Sequence, residues 1–295
     1  TVASPEDATT VAELRWADAT YPGGKRLLAE SDGVAVGAST VGRIYVYPPE
    51  FDGYWGTIDV LPDARRQGVG SALLVAVAAV AREAGKSWLH VPANESRPDG
   101  IAFLEHRGFS EHERMKALRL ELTCLEPPIP RPPEGVVITT LAERPDLVAG
   151  VHAVALETFG DIPGDEPMAA GDLAEFRARD VDRSVLPPWG FAVALDPDDV
   201  VVGYASLMLM PGNAHLAWHD MTAVSRAWRG RGLAVALKMT TIAAAIEHGL
   251  TTLETGNDID NAPMRAVNDR LGYRPQPDLL TMRGPVGSAR LSGDA

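Results

Sequence analysis

The sequence predicts an α/β chain, α+β in detail, made of two similar tandem domains. Three observations lead there. Residues 223–249 read AVSRAWRGRGLAVALKMTTIAAAIEHG, the end of an apolar strand, a basic glycine turn, then an alanine-rich amphipathic helix stopped by Gly249. Residues 58–85 read IDVLPDARRQGVGSALLVAVAAVAREAG and have the same organisation. Gly68 and Gly232 lie 164 positions apart, and so do the pairs Gly108-Phe109 and Gly272-Tyr273. Two separate signals at one offset indicate an internal duplication.

The elements follow in order. A helix is expected at 10–16, and strands at 25–30 and 34–47 joined by Ser31-Asp32-Gly33. The strand 54–61 enters the first turn, and helix 70–84 leaves it for Gly85. A central strand at 88–91, a loop with Pro92 and Pro98, a helix at 100–106 and a strand at 114–122 complete the first half. Five prolines in 125–135 favour a stiff extended linker. The division is therefore a domain at 1–124, a linker at 125–135 and a domain at 136–295. The second domain is expected to run as strand 136–140, helix 145–159, acidic loop 161–166 and helix 170–180. A hairpin at 189–208, strand 214–224, helix 237–248, strand 251–255, helix 261–271 and a final strand or hairpin at 273–283 follow, ahead of a polar tail.

The turns carry the chemistry. Glycine lacks the Cβ that would keep a ligand off the backbone. The first amides of a helix have no acceptor within it and can hold a phosphate. Arginines add charge-assisted donors. The second turn offers Arg229, Gly230, Arg231, Gly232, Leu233 and Ala234 after Val224; the first offers Arg65, Arg66, Gln67, Gly68, Val69 and Gly70 after Val60.

Both stretches resemble the cofactor motif of the GCN5-related N-acetyltransferase (GNAT) family, Arg/Gln-x-x-Gly-x-Gly/Ala. Arg65, Gly68 and Gly70 fill it in one copy, and Arg229, Gly232 and Ala234 in the other. The resemblance covers nearly the whole chain and is to the tandem two-domain type, similar in architecture to the mycothiol synthases. It implies two mixed, bent sheets flanked by helices, with acetyl-CoA as cosubstrate and its pyrophosphate on the turn amides. It implies a gap between the strand ending at Val60 or Val224 and the next strand, where the pantetheine arm lies. Asn261 falls where the family often has an asparagine touching that arm. The family opens with a strand and two helices, for which the 59 residues up to Asp59 leave too little room. The first domain is therefore expected to lack its first strand and helix in this chain.

Acyl transfer to an amine needs a base, and Asp220 and Glu254, on the strands to either side of the expected gap, are the candidates. His219 alternates with Asp220 and must point to the other face. The family's acid, a tyrosine four residues before the Gly-Phe/Tyr glycine, is replaced by Leu104 and Asn268. Leucine has no proton to give, and an amide donates hydrogen bonds without acting as an acid. Catalysis is thus expected mainly in the second domain, with Asp220, Glu254 and Asn268 as its residues. The acidic loop with Asp161, Asp165 and Glu166 is a candidate attractor for an ammonium group.

Bulk properties narrow the partners. A net charge of -13 disfavours nucleic acid and anionic membranes. No apolar run of membrane-spanning length or export signal is visible, so a cytoplasmic location is the default. Cys124 is the single cysteine, and the seven histidines form no metal-binding pattern, so no metal is expected. The expected acceptor is a small-molecule amine, with a protein N-terminus or lysine as the second class. Oligomeric state is left open. The rival reading is a non-catalytic acyl-CoA-binding or scaffolding protein, which the missing tyrosines favour.

Overall fold

The computed structural model describes residues 9–21, 23–164 and 168–288. Two compact units emerge. One comprises Tyr21–Lys116 together with the described residues from Pro277 onward; the other comprises the described residues up to Thr20 together with Ala117–Gln276. Division by repeat, at 125–135, and division by compactness therefore differ in three places, one of them residues 117–124, which group with the second unit. The helix α1 (Val11–Thr20) groups with the second unit, and the last strand of the chain groups with the first.

The first unit is a mixed sheet. Its strands are β1 (Lys25–Ser31), β2 (Val34–Arg43), β3 (Gly53–Gly56), β4 (Asp59–Val60), β5 (Trp88–Asn94) and the start of β6 (Ser110–Glu121). The final strand β13 (Leu279–Pro285) lies between β5 and β6, antiparallel to both. β3 and β5 run parallel, as a crossover through α2 (Val69–Glu83) requires. Helix α3 (Pro98–Glu105) follows β5. The buried residues of α2, including Leu74, Val77, Ala78 and Ala81, share a core with Leu89, Val91, Phe109 and Met282. The expected strand 54–61 is broken into β3 and β4, with Thr57 turned to hydrogen-bond Thr40.

The second unit has the same plan. Its strands run β6 (from Ala117), β11 (Thr252–Asp258), β10 (Leu216–Val224), β9 (Val201–Leu209), β8 (Phe191–Leu195) and β7 (Val137–Thr140). The two-residue strand β12 (Arg274–Pro275) pairs with Arg119 and Leu118 of β6. Helices α4 (Val148–Thr158) and α5 (Leu173–Asp180) share a core with Phe191, Val193 and Tyr204. Helix α6 (Leu233–Glu247) contributes Leu233 and Leu237 to a second core with Ala192, Ala194 and Val202. β8 and most of β9 are buried along their whole length, as helices covering both faces of a sheet require. Helix α7 (Ala262–Arg270) is capped by Asn261, whose Oδ1 accepts from the Met264 amide at 3.2 Å. Among the described residues no helix is long and apolar enough to cross a membrane.

Candidate functional site

The duplicated turns agree in their dihedral angles. Leu61 and Ser225 have φ/ψ of -54/141° and -48/139°, and each opens a single 3-10 turn. Arg65 and Arg229 follow at -68/156° and -68/158°. Gly68 and Gly232 then take left-handed values, φ 88° and 82°, and start 15-residue helices. An L-residue with a side chain is strained there, which explains glycine at both points. Neither helix has a side-chain cap, and a Cβ on either glycine would meet open space. The amides of residues 69–71 and 233–235 precede the first intrahelical bonds, donated by Ala72 and Ala236. Each turn is thus an uncapped set of donors facing outward, which fits the diphosphate of a coenzyme A thioester.

The arginines brace the turns. Arg65 Nε donates to the Val60 carbonyl at 3.2 Å, and Arg229 Nε to the Val224 carbonyl at 3.0 Å. Arg229 also donates to Asp161 through Nη2 at 2.7 Å, and Arg226 bonds the same carboxylate. Those guanidiniums hold the Asp161 carboxyl down to about 2. Glu157 accepts from the Arg226 amide and the Ser225 hydroxyl. The charge expected to attract an ammonium group at Asp161 is therefore committed to the turn itself. Asp165 and Glu166 lie outside the described residues.

A glycine faces the last valine of each strand, Gly37 opposite Val60 and Gly203 opposite Val224. A Cβ on Gly37 would come 3.1 Å from Leu73, and one on Gly203 3.1 Å from Leu237. Leu73 and Leu237 are again 164 apart. These glycines let the helix that leaves each turn settle onto the sheet.

Beyond the first few residues the parallel strands part. β10 and β11 pair only from Leu216–Thr252 to Trp218–Glu254, yet the strands continue to Val224 and Asp258. Thr255 Oγ1 donates to the His219 carbonyl at 2.8 Å, the last bridge before the gap. In the first unit β3 and β5 pair only as far as Trp55–His90, while β5 continues to Asn94. Each gap leaves strand-edge backbone groups beside the turn, where an extended amide-bearing chain can pair.

Asp220 stands at the mouth of the second gap. Between His219–Leu207 and Thr222–Ala205, strand β10 contains one residue more than β9, a bulge that re-aims the Asp220 side chain. Ser206 supports it: its hydroxyl lies 3.4 Å from Asp220 Oδ2 and accepts from the Met221 amide at 3.3 Å. Asp220 stays open to solvent, but its carboxyl is otherwise walled in by protein. This crowding, with the nearby Asp180, raises its pKa to about 6. At the repeat-related position the first unit has Gly56, which carries no side chain.

The other candidates fare differently. Glu254 accepts from Arg119 Nη2 at 2.5 Å and Nε at 3.0 Å, so its charge is paired. Its counterpart His90 is buried, and burial together with His112 and Arg283 pushes it down to about 4. Asn268 is fully buried and donates to Asn257 at 2.5 Å. Asn261 is engaged as the helix cap. His219 points into the core, between the Tyr273 hydroxyl at 2.8 Å and Thr241 at 3.0 Å. Tyr273 is 2% exposed, and burial pushes its hydroxyl pKa far upward.

Comparison with known proteins accords with this geometry. A family model described as the acetyltransferase (GNAT) family matches residues 3–109 and 155–273. The chain belongs to the GNAT acetyltransferases. Among curated GNAT relatives, a mycothiol acetyltransferase of Catenulispora acidiphila is 27% identical over 75% of this chain and 69% of its own. One of Salinispora arenicola is 28% identical over 92% of this chain and 84% of its own. Among solved structures, a tandem GNAT protein from the clavulanic acid biosynthesis pathway has a TM-score of 0.76 at 22% identity, covering 97% of this chain and 92% of that one. A GNAT structure from Sphaerobacter thermophilus has a TM-score of 0.68 at 20% identity, covering 89% and 81%. The duplicated motifs thus mark tandem GNAT domains in an acyltransferase.

The sequence reading missed Ser206, Arg119, Asp180 and Tyr204. Each acts through a partner on another strand or helix, and no local motif announces that. The bulge that sets Asp220 apart leaves no glycine or proline in the sequence as a signal.

Proposed function

We propose that this chain transfers an acetyl group from acetyl-CoA to the primary amine of a small molecule, with the chemistry in the second unit. The observation that carries the proposal is Asp220. It is a carboxylate with a raised pKa, held by a bulge beside parted strands and an uncapped glycine turn. The first unit has the turn and the gap but no such carboxylate. It is assigned coenzyme A binding without transfer.

In the reaction the amine nitrogen forms a bond to the thioester carbonyl carbon. Asp220 takes the proton the nitrogen gives up, and the carbon–sulfur bond breaks as the tetrahedral intermediate collapses. Turn amides 233–235 hold the diphosphate, and the free edge of β10 lines up the pantetheine arm. The leaving thiolate takes its proton from solvent, because Asn268 has none to give and Tyr273 is sealed beside His219. Relatives named as mycothiol acetyltransferases support a small amine acceptor over a protein.

A second reading, binding without turnover, is favoured by one observation, the lack of an acid at position 268. Release of free thiol from acetyl-CoA, followed with a panel of amino sugars, amino amides and polyamines, decides between them. Turnover with at least one acceptor is expected. Tight coenzyme A binding with no turnover on any amine would establish the second reading.

A further inference from the structure

The surroundings of Asp220 hold more negative charge than they balance. Tyr204 and Ser206 are two residues apart on β9 and share a face, the one whose serine touches Asp220. Helix α5 covers that face, with Phe176 and Tyr204 in one core, and ends at Asp180. Tyr204 is 2% exposed, and its hydroxyl has no hydrogen-bond partner among the described residues. The charges of Asp180 and Asp220 both act on that hydroxyl. A buried hydroxyl without a partner is costly, and a ligand that donates to it relieves that cost.

The partners of the two carboxylates sharpen the picture. Asp180 accepts from Arg179 Nε at 2.9 Å and lies 2.8 Å from its Nη2, both on Oδ2, and among the described residues no bond is made to Oδ1. Arg179 also serves the Ala170 carbonyl and lies 3.9 Å from Glu175. Arg183 is bound to Glu13 at 3.0 Å and stacks on Trp16. Among the described residues, the charges that act on Asp220 are those of Asp180 and Arg183, and Asp180 in turn neighbours Arg179, Arg183 and Glu175. Among the described residues Asp220 bonds no cation, only the Ser206 hydroxyl and the Met221 amide.

We infer that Asp180, Tyr204 and Asp220 form the seat of the acceptor's ammonium group, and that it selects a primary ammonium with no carboxylate beside it. This rests on the transferase reading above and names its specificity residues. A primary ammonium offers three N–H donors. Asp180 Oδ1, the Tyr204 hydroxyl oxygen and the Asp220 carboxylate supply three acceptors. Asp180 and Tyr204 hold the nitrogen; Asp220 takes one ammonium proton and releases it to solvent, which leaves it free to take the second as the nitrogen–carbon bond forms. A free α-amino acid brings a further carboxylate to a site that already holds the charges of Asp180 and Asp220 and is turned away. An amino amide or amino sugar, whose neighbouring groups are neutral, is admitted.

The test is calorimetric titration of the full chain, saturated with coenzyme A, using glycinamide and glycine as probes, alongside the KM for glycinamide in acetyl transfer. Glycinamide should bind at least about tenfold more tightly than glycine. Asp180→Asn should weaken glycinamide binding and raise its KM by about tenfold or more, with kcat and coenzyme A affinity little changed. Asp180→Glu should restore part of the loss, and Tyr204→Phe should give a smaller loss. Equal binding of glycine and glycinamide, or an Asp180→Asn protein with wild-type KM and affinity, overturns the inference and leaves the transferase intact. Glycinamide binding that depends on Asp180 without any transfer sinks the transferase reading instead.

Discussion

Arg229 donates through Nε to the carbonyl of Val224 at 3.0 Å, tying the last residue of a strand to the turn that follows it. Arg65 and Val60 repeat the bond 164 residues earlier at 3.2 Å. The guanidinium acts as a brace on the turn, and the uncapped backbone amides are the proposed phosphate donors. Arg229→Ala should therefore loosen the turn and weaken coenzyme A binding moderately, by about tenfold. Gly232→Glu should abolish binding in the second unit, because a strained left-handed residue with a negative side chain would occupy the phosphate space. Calorimetry with coenzyme A reads both. If both units bind, stoichiometry falls from two to one in Gly232→Glu, and in Gly68→Glu as well, but only Gly232→Glu should lose transfer.

The proposed role of Asp220 as base predicts a pH profile. Only its carboxylate form accepts the amine proton, so kcat should rise through pH 6 and level off above it. Asp220→Asn should lower kcat by about 10²–10⁴-fold and flatten that limb. Stability runs the other way. The pKa of Asp220 is raised above its ordinary value, so the folded protein binds this proton more readily than the unfolded chain. The destabilisation from this group is present at pH 8, eases as pH falls through 6, and is gone only below the ordinary carboxylate value of 3.8. Asp220→Asn should accordingly melt no lower than wild type at pH 8, a comparison that calorimetric scanning makes directly.

Glu254 should behave as a structural partner of Arg119. Glu254→Gln breaks a partly exposed ion pair and should cost at most about 1 kcal/mol, with the pH profile of kcat unchanged. A lost pH 6 limb in Glu254→Gln, with Asp220→Asn still active, would reverse the two roles.

Tyr273 and His219 form a buried polar pair, and Tyr273→Phe tests whether the hydroxyl also serves as an acid. The expected result is a stability loss of about 1–3 kcal/mol in denaturant titration, from leaving His219 Nδ1 unpartnered, with kcat nearly unchanged. A large loss of kcat at unchanged stability would assign the thiolate's proton to Tyr273.

Lys238 extends this buried group. It is 1% exposed, lies 5.2 Å from the Tyr273 ring, and burial lowers its pKa to about 7. The unfolded lysine keeps its proton to about pH 10.4. Stability from this group therefore rises with pH from 7 to the unfolded value, and is lowest below 7. Lys238→Met should remove that rise and increase the melting temperature at pH 7.

The sequence by itself determined the duplication, the two glycine turns and the helices they start, because these rest on local rules. A left-handed residue demands glycine, a helix needs its periodic apolar face, and a repeat preserves both at a constant offset. It also determined that His219 and Asp220 point to opposite faces, since strand alternation is a property of adjacent residues. Only the tertiary structure decided that Asp220 stands in a bulge on Ser206 while Glu254 is taken by Arg119. It alone showed that Asp161 braces the turn and that the Tyr204 hydroxyl is buried without a partner among the described residues. Those outcomes depend on which strand or helix supplies a partner 14 to 135 residues away. Burial and Coulomb interaction are set by neighbours in space, and residue order along the chain does not specify them.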